Sequence, residues 1–313
     1  MATDKSKHLD CVLKSHKMSN VQGLLDKYLK KRDEVKESLD SKYASQKATS
    51  AINSGSYAKH TAINTKFDID ICLPFLRGSF NTLEAMADDV YDYFDSEYED
   101  AELIYKRKQR VSIGLTFHID GEEIDMDIVP AREINENEYT STYDLNLYVR
   151  PKNGMAATST KTNIKTHINL IKGKNAERDI IRLLKIWKQS NNRDYKSFMI
   201  ELLTIRAFDS KDDTPVGLWG KLKFVLEFIR DNIETIQLKD PANSSNVVSD
   251  TINTFEKQSF KSDMENMLGR IEENSDYIKN YFPINDNFPC NDDSEGKMKK
   301  GTGATILTTK SFG

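Results

Sequence analysis

Apolar residues recur at three- and four-residue steps through Val21, Leu24, Leu25, Tyr28, Val35 and Leu39, so residues 19–46 predict a first helix, with Ser19 or Asn20 as its cap. It is long for a globular helix and suits a brace between two lobes. A Gly-Ser pair at 55–56 precedes a short helix around 57–63 and a strand over 67–73, which Pro74 and Gly78 are expected to end. Asn81 is the expected cap of a second helix carrying Leu83, Met86, Val90 and Phe94 on one face. Residues 111–119 read as a strand, and Asp120-Gly121 is a strong two-residue hairpin signal. On the return strand Ile124, Met126 and Ile128 point one way and Glu123, Asp125 and Asp127 the other, until Pro130 stops it. Residues 133–163 are polar and show no clean period. From about 164 the pattern turns helical, over 176–190, 197–209, 217–236 and 254–281. No internal repeat is visible. The pattern predicts an α+β protein: an α/β lobe over 1–163, a helical lobe over 164–285 with a cleft between them, and a flexible tail over 286–313 rich in Asn, Asp, Ser, Gly and Lys.

Composition narrows the class. The chain has 313 residues, 38% hydrophobic and 30% charged, enough for a sizeable core and a well-solvated surface. No apolar run approaches bilayer length, and "MATDKSKHLD" lacks a secretory apolar segment, so a cytoplasmic protein without membrane partners is expected. Cys11, Cys72 and Cys290 are too few and too scattered for a disulfide framework or a zinc ribbon. A net charge of −4 argues against general affinity for polyanions, and nucleic acid is not expected as a specific ligand. Lys106, Arg107, Lys108 and Arg110 form one basic run, which reads as a solvated strand end or, less commonly, a contact for RNA or a product phosphate.

The chemistry concentrates in "GSYAKHTAINTKFDIDICLPF" at 55–75. Asp68 and Asp70 are two apart on a strand and share a face, about 7 Å from one to the next, while Ile69 and Ile71 face the core. Two carboxylates aimed together repel, and each prefers its proton. A divalent cation removes the conflict, and hard oxygen ligands suit Mg²⁺ or Mn²⁺. The alternative is an ordinary solvent-facing edge strand. Separated from Asp68 by eleven residues, Gly55-Ser56 enters a helix with unpaired backbone N–H groups and a hydroxyl, a cradle for phosphate or else a plain turn. The hairpin adds Asp127 or Asp125, and three carboxylates on neighbouring strands suit a two-metal site. In "RDIIRLLKIWK", Arg178, Arg182 and Lys185 fall a turn apart, either a solvated face or a row of cations for an anionic ligand.

"GS", eleven residues and then "DID" resembles the signature of polymerase-beta-like nucleotidyltransferases. "DIVPA" at 127–131, "IRLLKIWK" at 181–188 and "KSFMIELLTIRAF" at 196–208 narrow the resemblance to oligoadenylate synthases and the bacterial cyclic-oligonucleotide synthases, the CD-NTase family related to cyclic GMP-AMP synthase. The motifs span 55–208 in the family's order. The resemblance implies a nucleotidyltransferase lobe with a mixed β-sheet and an active site facing a helical lobe. It implies that Asp68 and Asp70 ligate two Mg²⁺ or Mn²⁺ ions and that Asp127 holds the ion that activates the attacking ribose hydroxyl, with Asp125 as the reserve candidate. It places Gly55 and Ser56 on the donor's β- and γ-phosphates, Arg182, Lys185 and Ser197 on its triphosphate, and Phe198 against its base, where the family often has tyrosine.

The implied function is synthesis of a cyclic di- or trinucleotide second messenger from nucleoside triphosphates in bacterial antiphage (CBASS) signalling. Competing readings are a template-independent transferase that makes a linear product on RNA or a small molecule, and an inactive nucleotide- or RNA-binding module. Three dispersed cysteines cannot build the zinc insertion of the animal DNA sensor. His60, His118 and His167 lack metal or relay spacing, and Trp187 and Trp219 read as packing residues. The family also implies an operon-encoded activator, or an enzyme that conjugates the C-terminal glycine, here Gly313.

Overall fold

The computed structural model describes residues 2–290 apart from 153, 212 and 214. The expectations for the tail and Gly313 therefore fall outside the described residues from 291 onward. Helix α1 (Lys5–Ser15) is capped by Asp4, whose side chain accepts from the Lys7 amide. Its buried Leu9 and Val12 join the core of the helical half, so these residues lie with the helices rather than with the α/β lobe where they were expected. Helix α2 (Gln22–Lys42) corresponds to the long brace and starts three residues later than predicted, after a 3₁₀ turn at Met18–Val21. It buries Tyr28, Val35 and Leu39 against the sheet, each contributing roughly 1.5–3 kcal/mol of burial free energy.

The elements that carry the acids follow: β1 (Ile52–Ser54), the single turn α3 (Gly55–Ala58), and β2 (Ile69–Phe75). Next come α4 (Leu83–Asp92), β3 (Leu103–Lys108), β4 (Ile113–Ile119), β5 (Glu122–Glu133), α5 (Tyr139–Thr142), β6 (Leu145–Val149) and β7 (Thr158–Thr162). The sheet is mixed and seven-stranded, ordered β1-β2-β5-β4-β3, with β6 and β7 continuing from the far end of β5. Only β2 and β5 run parallel. The Asp120-Gly121 turn closes β4–β5, both residues taking the positive φ such a turn needs. Thr82, not Asn81, caps α4 by accepting from the Ala85 amide.

Neither proline ends its strand. β2 runs on through Pro74 to Phe75, and β5 through Pro130 to Glu133. Pro74 lies beyond the last β1 partner, Cys72, so no β1 carbonyl needs its missing N–H. Pro130 falls where β5 leaves β4 after Ile128 and has not yet met β6 at Ala131.

The helical half contains α6 (Ile164–Ile171), α7 (Asn175–Ser190), α8 (Ser197–Asp209), α9 (Leu218–Asn232), the small hairpin β8 (Lys239–Asp240) and β9 (Asn243–Val247), α10 (Thr254–Glu273) and α11 (Ile278–Tyr281). Asn253 and Glu256 form a capping box at the start of α10. The predicted single helix over 254–281 breaks at Asn274, which restarts the chain by accepting from the Asp276 amide. Trp187 is buried among Tyr195 and Phe260, as a packing residue should be. Cys11 and Cys290 form a disulfide, a pairing that their separation of 279 residues hides in the sequence. Cys72 is buried, as expected.

Candidate active site

The acids stand on one rung that crosses five strands. Paired residues run from Ser54 to Asp70, Asp127, Gly114 and Arg107 through β1, β2, β5, β4 and β3. Directly paired residues share a face of the sheet, so these side chains converge by register alone. Asp68 joins them from two residues before Asp70. An oxygen from each of Asp68, Asp70 and Asp127 lies within 4.8 Å of the other two. On the opposite face Ile69, Ile71, Met126 and Ile128 are buried under α2 and α4. Alternation thus places the acids and the core on opposite sides of the same two strands.

Asp125, the reserve candidate, is held away from this trio. Thr116 donates to its Oδ1 at 2.7 Å, and the Tyr28 hydroxyl lies 3.2 Å from its amide. Asp127 instead accepts from Gln109 Nε2 at 3.0 Å.

Gly55 sits against Asp70 with φ +64°. A Cβ on it would lie 1.6 Å from Asp70 Oδ2. The position therefore needs glycine twice, for its backbone angle and for its approach to the carboxylate. Ser56 follows on the first turn of α3.

The trio is short of positive charge. Burial pushes Asp70 up to about 8, helped by the Asp68 and Asp127 charges and only partly opposed by Lys59 and Lys185. Burial pushes Asp127 up to about 7, helped by Asp68 and opposed by Arg107 and Gln109. Asp68 keeps part of its side chain in solvent, yet protein packed around its carboxyl still leads an upward shift, against Lys185 and Lys66. Three clustered hard-oxygen donors with incomplete counter-charge fit one or two divalent cations, which favour the ionised form of all three.

The described contacts of the cations beside the helical half are mostly to other groups than the trio. Lys185 is buried, donates to the Thr61 carbonyl at 3.1 Å and hydroxyl at 3.3 Å, and lies 4.0 Å from Glu201; burial lowers it to about 8. Lys59 pairs with the other Glu201 oxygen at 2.6 Å. Arg182 pairs with Asp179 on its own helix, and its buried Nε has no hydrogen-bond partner among the described residues. The Ser197 hydroxyl accepts from Lys188 at 3.3 Å. Phe198 lies between Lys59, 5.4 Å from its ring centre, and His167, 5.0 Å away. Register therefore brings Asp70 and Asp127 together, and Asp68 and Gly55 join them from just before β2 and just after β1. Lys185 reaches the trio through its field, while the described contacts of Arg182, Ser197 and Phe198 are to other residues. Lys59, Thr61, Gln109 and Glu201 had no motif to announce them. The nearest signal was Glu201, a lone acid inside the apolar run "FMIELL".

The mixed sheet with its acid trio and the helical half have the fold of the CD-NTases. Residues 7–175 match the model of the Second Messenger Oligonucleotide or Dinucleotide Synthetase (SMODS) domain, and the chain belongs to that family. The match covers Gly55 and all three acids but ends at the start of α7. CdnC of E. coli MS115-1, solved with ATP, is 17% identical with a TM-score of 0.69, covering 90% of this chain and 98% of that one. The CdnC:HORMA-deltaN complex from the same strain is 19% identical with a TM-score of 0.62, covering 82% of this chain and 90% of that one. The CD-NTase CdnG of Bradyrhizobium diazoefficiens, solved with GTP, is 14% identical with a TM-score of 0.69, covering 90% of this chain and 95% of that one. At these identities the likeness is one of fold. No curated protein sequence matches the chain.

Proposed function

We propose that the protein joins nucleoside triphosphates, ATP among them, into a cyclic di- or trinucleotide and releases pyrophosphate, as a signal in antiphage (CBASS) defence. The observation that carries this reading is the clustered trio Asp68, Asp70 and Asp127 at the start of β2 and on β5, with Gly55 against Asp70. Asp68 and Asp70 hold both Mg²⁺ or Mn²⁺ ions, and Asp127 completes the site on the acceptor side. Bound there, the ions supply charge neutralisation at the entering ribose oxygen and at the departing pyrophosphate. Gly55 and Ser56 present backbone N–H groups and a hydroxyl to the donor's β- and γ-phosphates. Lys185 and Arg182 neutralise the triphosphate, Ser197 supports it, and Phe198 offers a face to the base without tyrosine's hydroxyl. An activator of the HORMA kind is a candidate partner, since the similar CdnC was solved in complex with one.

The test is incubation of the protein with labelled ATP, GTP, CTP and UTP and Mg²⁺ or Mn²⁺, alone and with candidate activators. The expected products resist both nuclease and phosphatase. Linear, phosphatase-sensitive oligonucleotides would move the assignment to a template-independent transferase. Asp68→Asn with Asp70→Asn should abolish product while leaving the circular dichroism spectrum unchanged. Undiminished turnover by that double variant would refute the metal site.

A further inference from the structure

The turn joining β3 to β4 is built around Asp127. Gln109 Nε2 donates to Asp127 Oδ1 at 3.0 Å. Ser112 Oγ donates to Gln109 Oε1 at 2.6 Å, and the Gln109 amide donates to the Ser112 carbonyl at 2.9 Å, closing the turn. The Ser112 hydroxyl has one proton, so its 3.5 Å approach to Asp127 Oδ2 is a secondary contact. The orientation of the Gln109 amide follows from these partners, because reversing it would set its oxygen against a carboxylate. Oδ1 thus accepts a hydrogen bond that fixes the orientation of the carboxylate, while Oδ2 keeps the longer contact to Ser112.

Two further features support the same contact. Gly114 faces Asp127 across β4–β5, and a Cβ there would lie 2.6 Å from Gln109 Nε2 and 3.1 Å from Arg107 Nε. Its φ is not positive, so what this position needs is room for the amide to cross the strand. Behind the turn, the mostly buried guanidinium of Arg150 donates to the carbonyls of Gln109 at 3.1 Å, Ser112 at 3.3 Å and Ala87 at 3.3 Å. The Arg150 amide donates to the Arg110 carbonyl at 2.8 Å. Three of these contacts pin the backbone from which Gln109 and Ser112 reach the acid, and the fourth ties it to α4.

We propose that Gln109, oriented by Ser112 and given room by Gly114, is a positioning residue that fixes the rotamer of Asp127 for metal binding, with Arg150 as the anchor of the turn. The inference rests on the proposed role of Asp127 as a metal ligand. Left to itself, Asp127 is repelled by Asp68 and Asp70; the hydrogen bond from Gln109 holds its carboxylate in the cluster against that repulsion. Partners that orient a ligand in this way typically change metal affinity or activity by about 10–100-fold when lost.

The experiment compares Gln109→Glu, Gln109→Met and Gly114→Ala with Asp127→Asn and the unaltered protein. Mn²⁺ binding is followed by electron paramagnetic resonance in the presence of a non-hydrolysable ATP analogue, and turnover is measured across a Mg²⁺ titration. The expected result is about 10–100-fold weaker Mn²⁺ binding at one site in all three positioning variants. Gln109→Glu should be the most affected, because it replaces a donor with a repelling acceptor of the same size. The Mg²⁺ concentration for half-maximal rate should rise more than the saturated rate falls, with melting temperature little changed in Gln109→Met. If the Gln109 variants bind Mn²⁺ as the unaltered protein does while Asp127→Asn loses a site, the positioning proposal falls alone. If Asp127→Asn also keeps full binding and turnover, the metal reading of Asp127 falls with it.

Discussion

At Gly55 the backbone turns at φ +64° while the Cα lies against the Asp70 carboxylate. A methyl group there has to displace Asp70 or the chain, and the left-handed angle adds a cost of about 1–2 kcal/mol. Gly55→Ala is therefore expected to reduce turnover by at least about 100-fold, the scale of a misplacement near 1 Å, and to lower stability measurably in denaturant titration. The raised acids carry a second prediction. For a carboxyl whose folded pKa lies above its unfolded value, stability is fully present below pH 4 and declines as pH rises through the folded pKa, here about 7 for Asp127 and about 8 for Asp70. A divalent ion needs the ionised forms, so its binding opposes that decline and strengthens with pH. The rise in melting temperature caused by a fixed Mn²⁺ concentration should grow from pH 6 to pH 8 and be absent in Asp70→Asn. A rise independent of pH would show that the ion binds elsewhere.

At the scale of elements, a buried network joins the helical half to the segment between α3 and β2. Glu201 on α8 holds Lys59 at 2.6 Å, lies 4.0 Å from Lys185 of α7, and accepts from the Thr61 hydroxyl at 3.4 Å. Removing its carboxylate leaves two desolvated cations facing each other. Glu201→Ala should lower the unfolding free energy by about 3–5 kcal/mol, and Glu201→Gln by less, as read from urea midpoints. Equal stability of all three forms would show that Lys59 and Lys185 find water instead. None of this network was legible in the sequence, because its partners lie as far as 142 residues apart and carry no shared motif. The acids were legible, because a period of two fixes which side chains share a face, and each strand announced its period. Even so, the side-by-side register of β2 and β5 had to come from the fold. The prolines misled, because a proline is harmless wherever the neighbouring strand has ended, and that ending is a tertiary fact. Strands β6 and β7 went unread for a related reason: Thr158–Thr162 is nearly all polar, and no alternation marks it. The helices α7 and α8 were read to within a residue, and α9 ends four residues earlier than predicted; the apolar faces of all three bury in one core.

For the whole molecule, the segment leading toward residue 290 is strapped across α1. His8 hydrogen-bonds the Phe282 carbonyl at 2.8 Å, the Asn285 amide donates to Ser15 Oγ at 3.0 Å, and the Asn285 side chain meets Asn64, four residues before Asp68. Asn64 in turn donates to the Ser15 carbonyl at 3.0 Å. Cys11–Cys290 closes the strap covalently around a loop of 279 residues. In the chain-entropy account a loop this long restricts the unfolded state strongly, and observed contributions of single disulfides are typically about 2–4 kcal/mol. Reducing compartments keep such pairs as thiols, so the same chain has two stabilities depending on its surroundings. Dithiothreitol should lower the melting temperature of the unaltered protein by several degrees. Cys11→Ser should melt at that lower temperature with or without reductant. The strap's hydrogen bonds do not depend on the bridge, so the reduced protein should keep its helical circular dichroism and its Mn²⁺ binding. A melting temperature insensitive to reductant would mean that the hydrogen bonds alone set the strength of the strap.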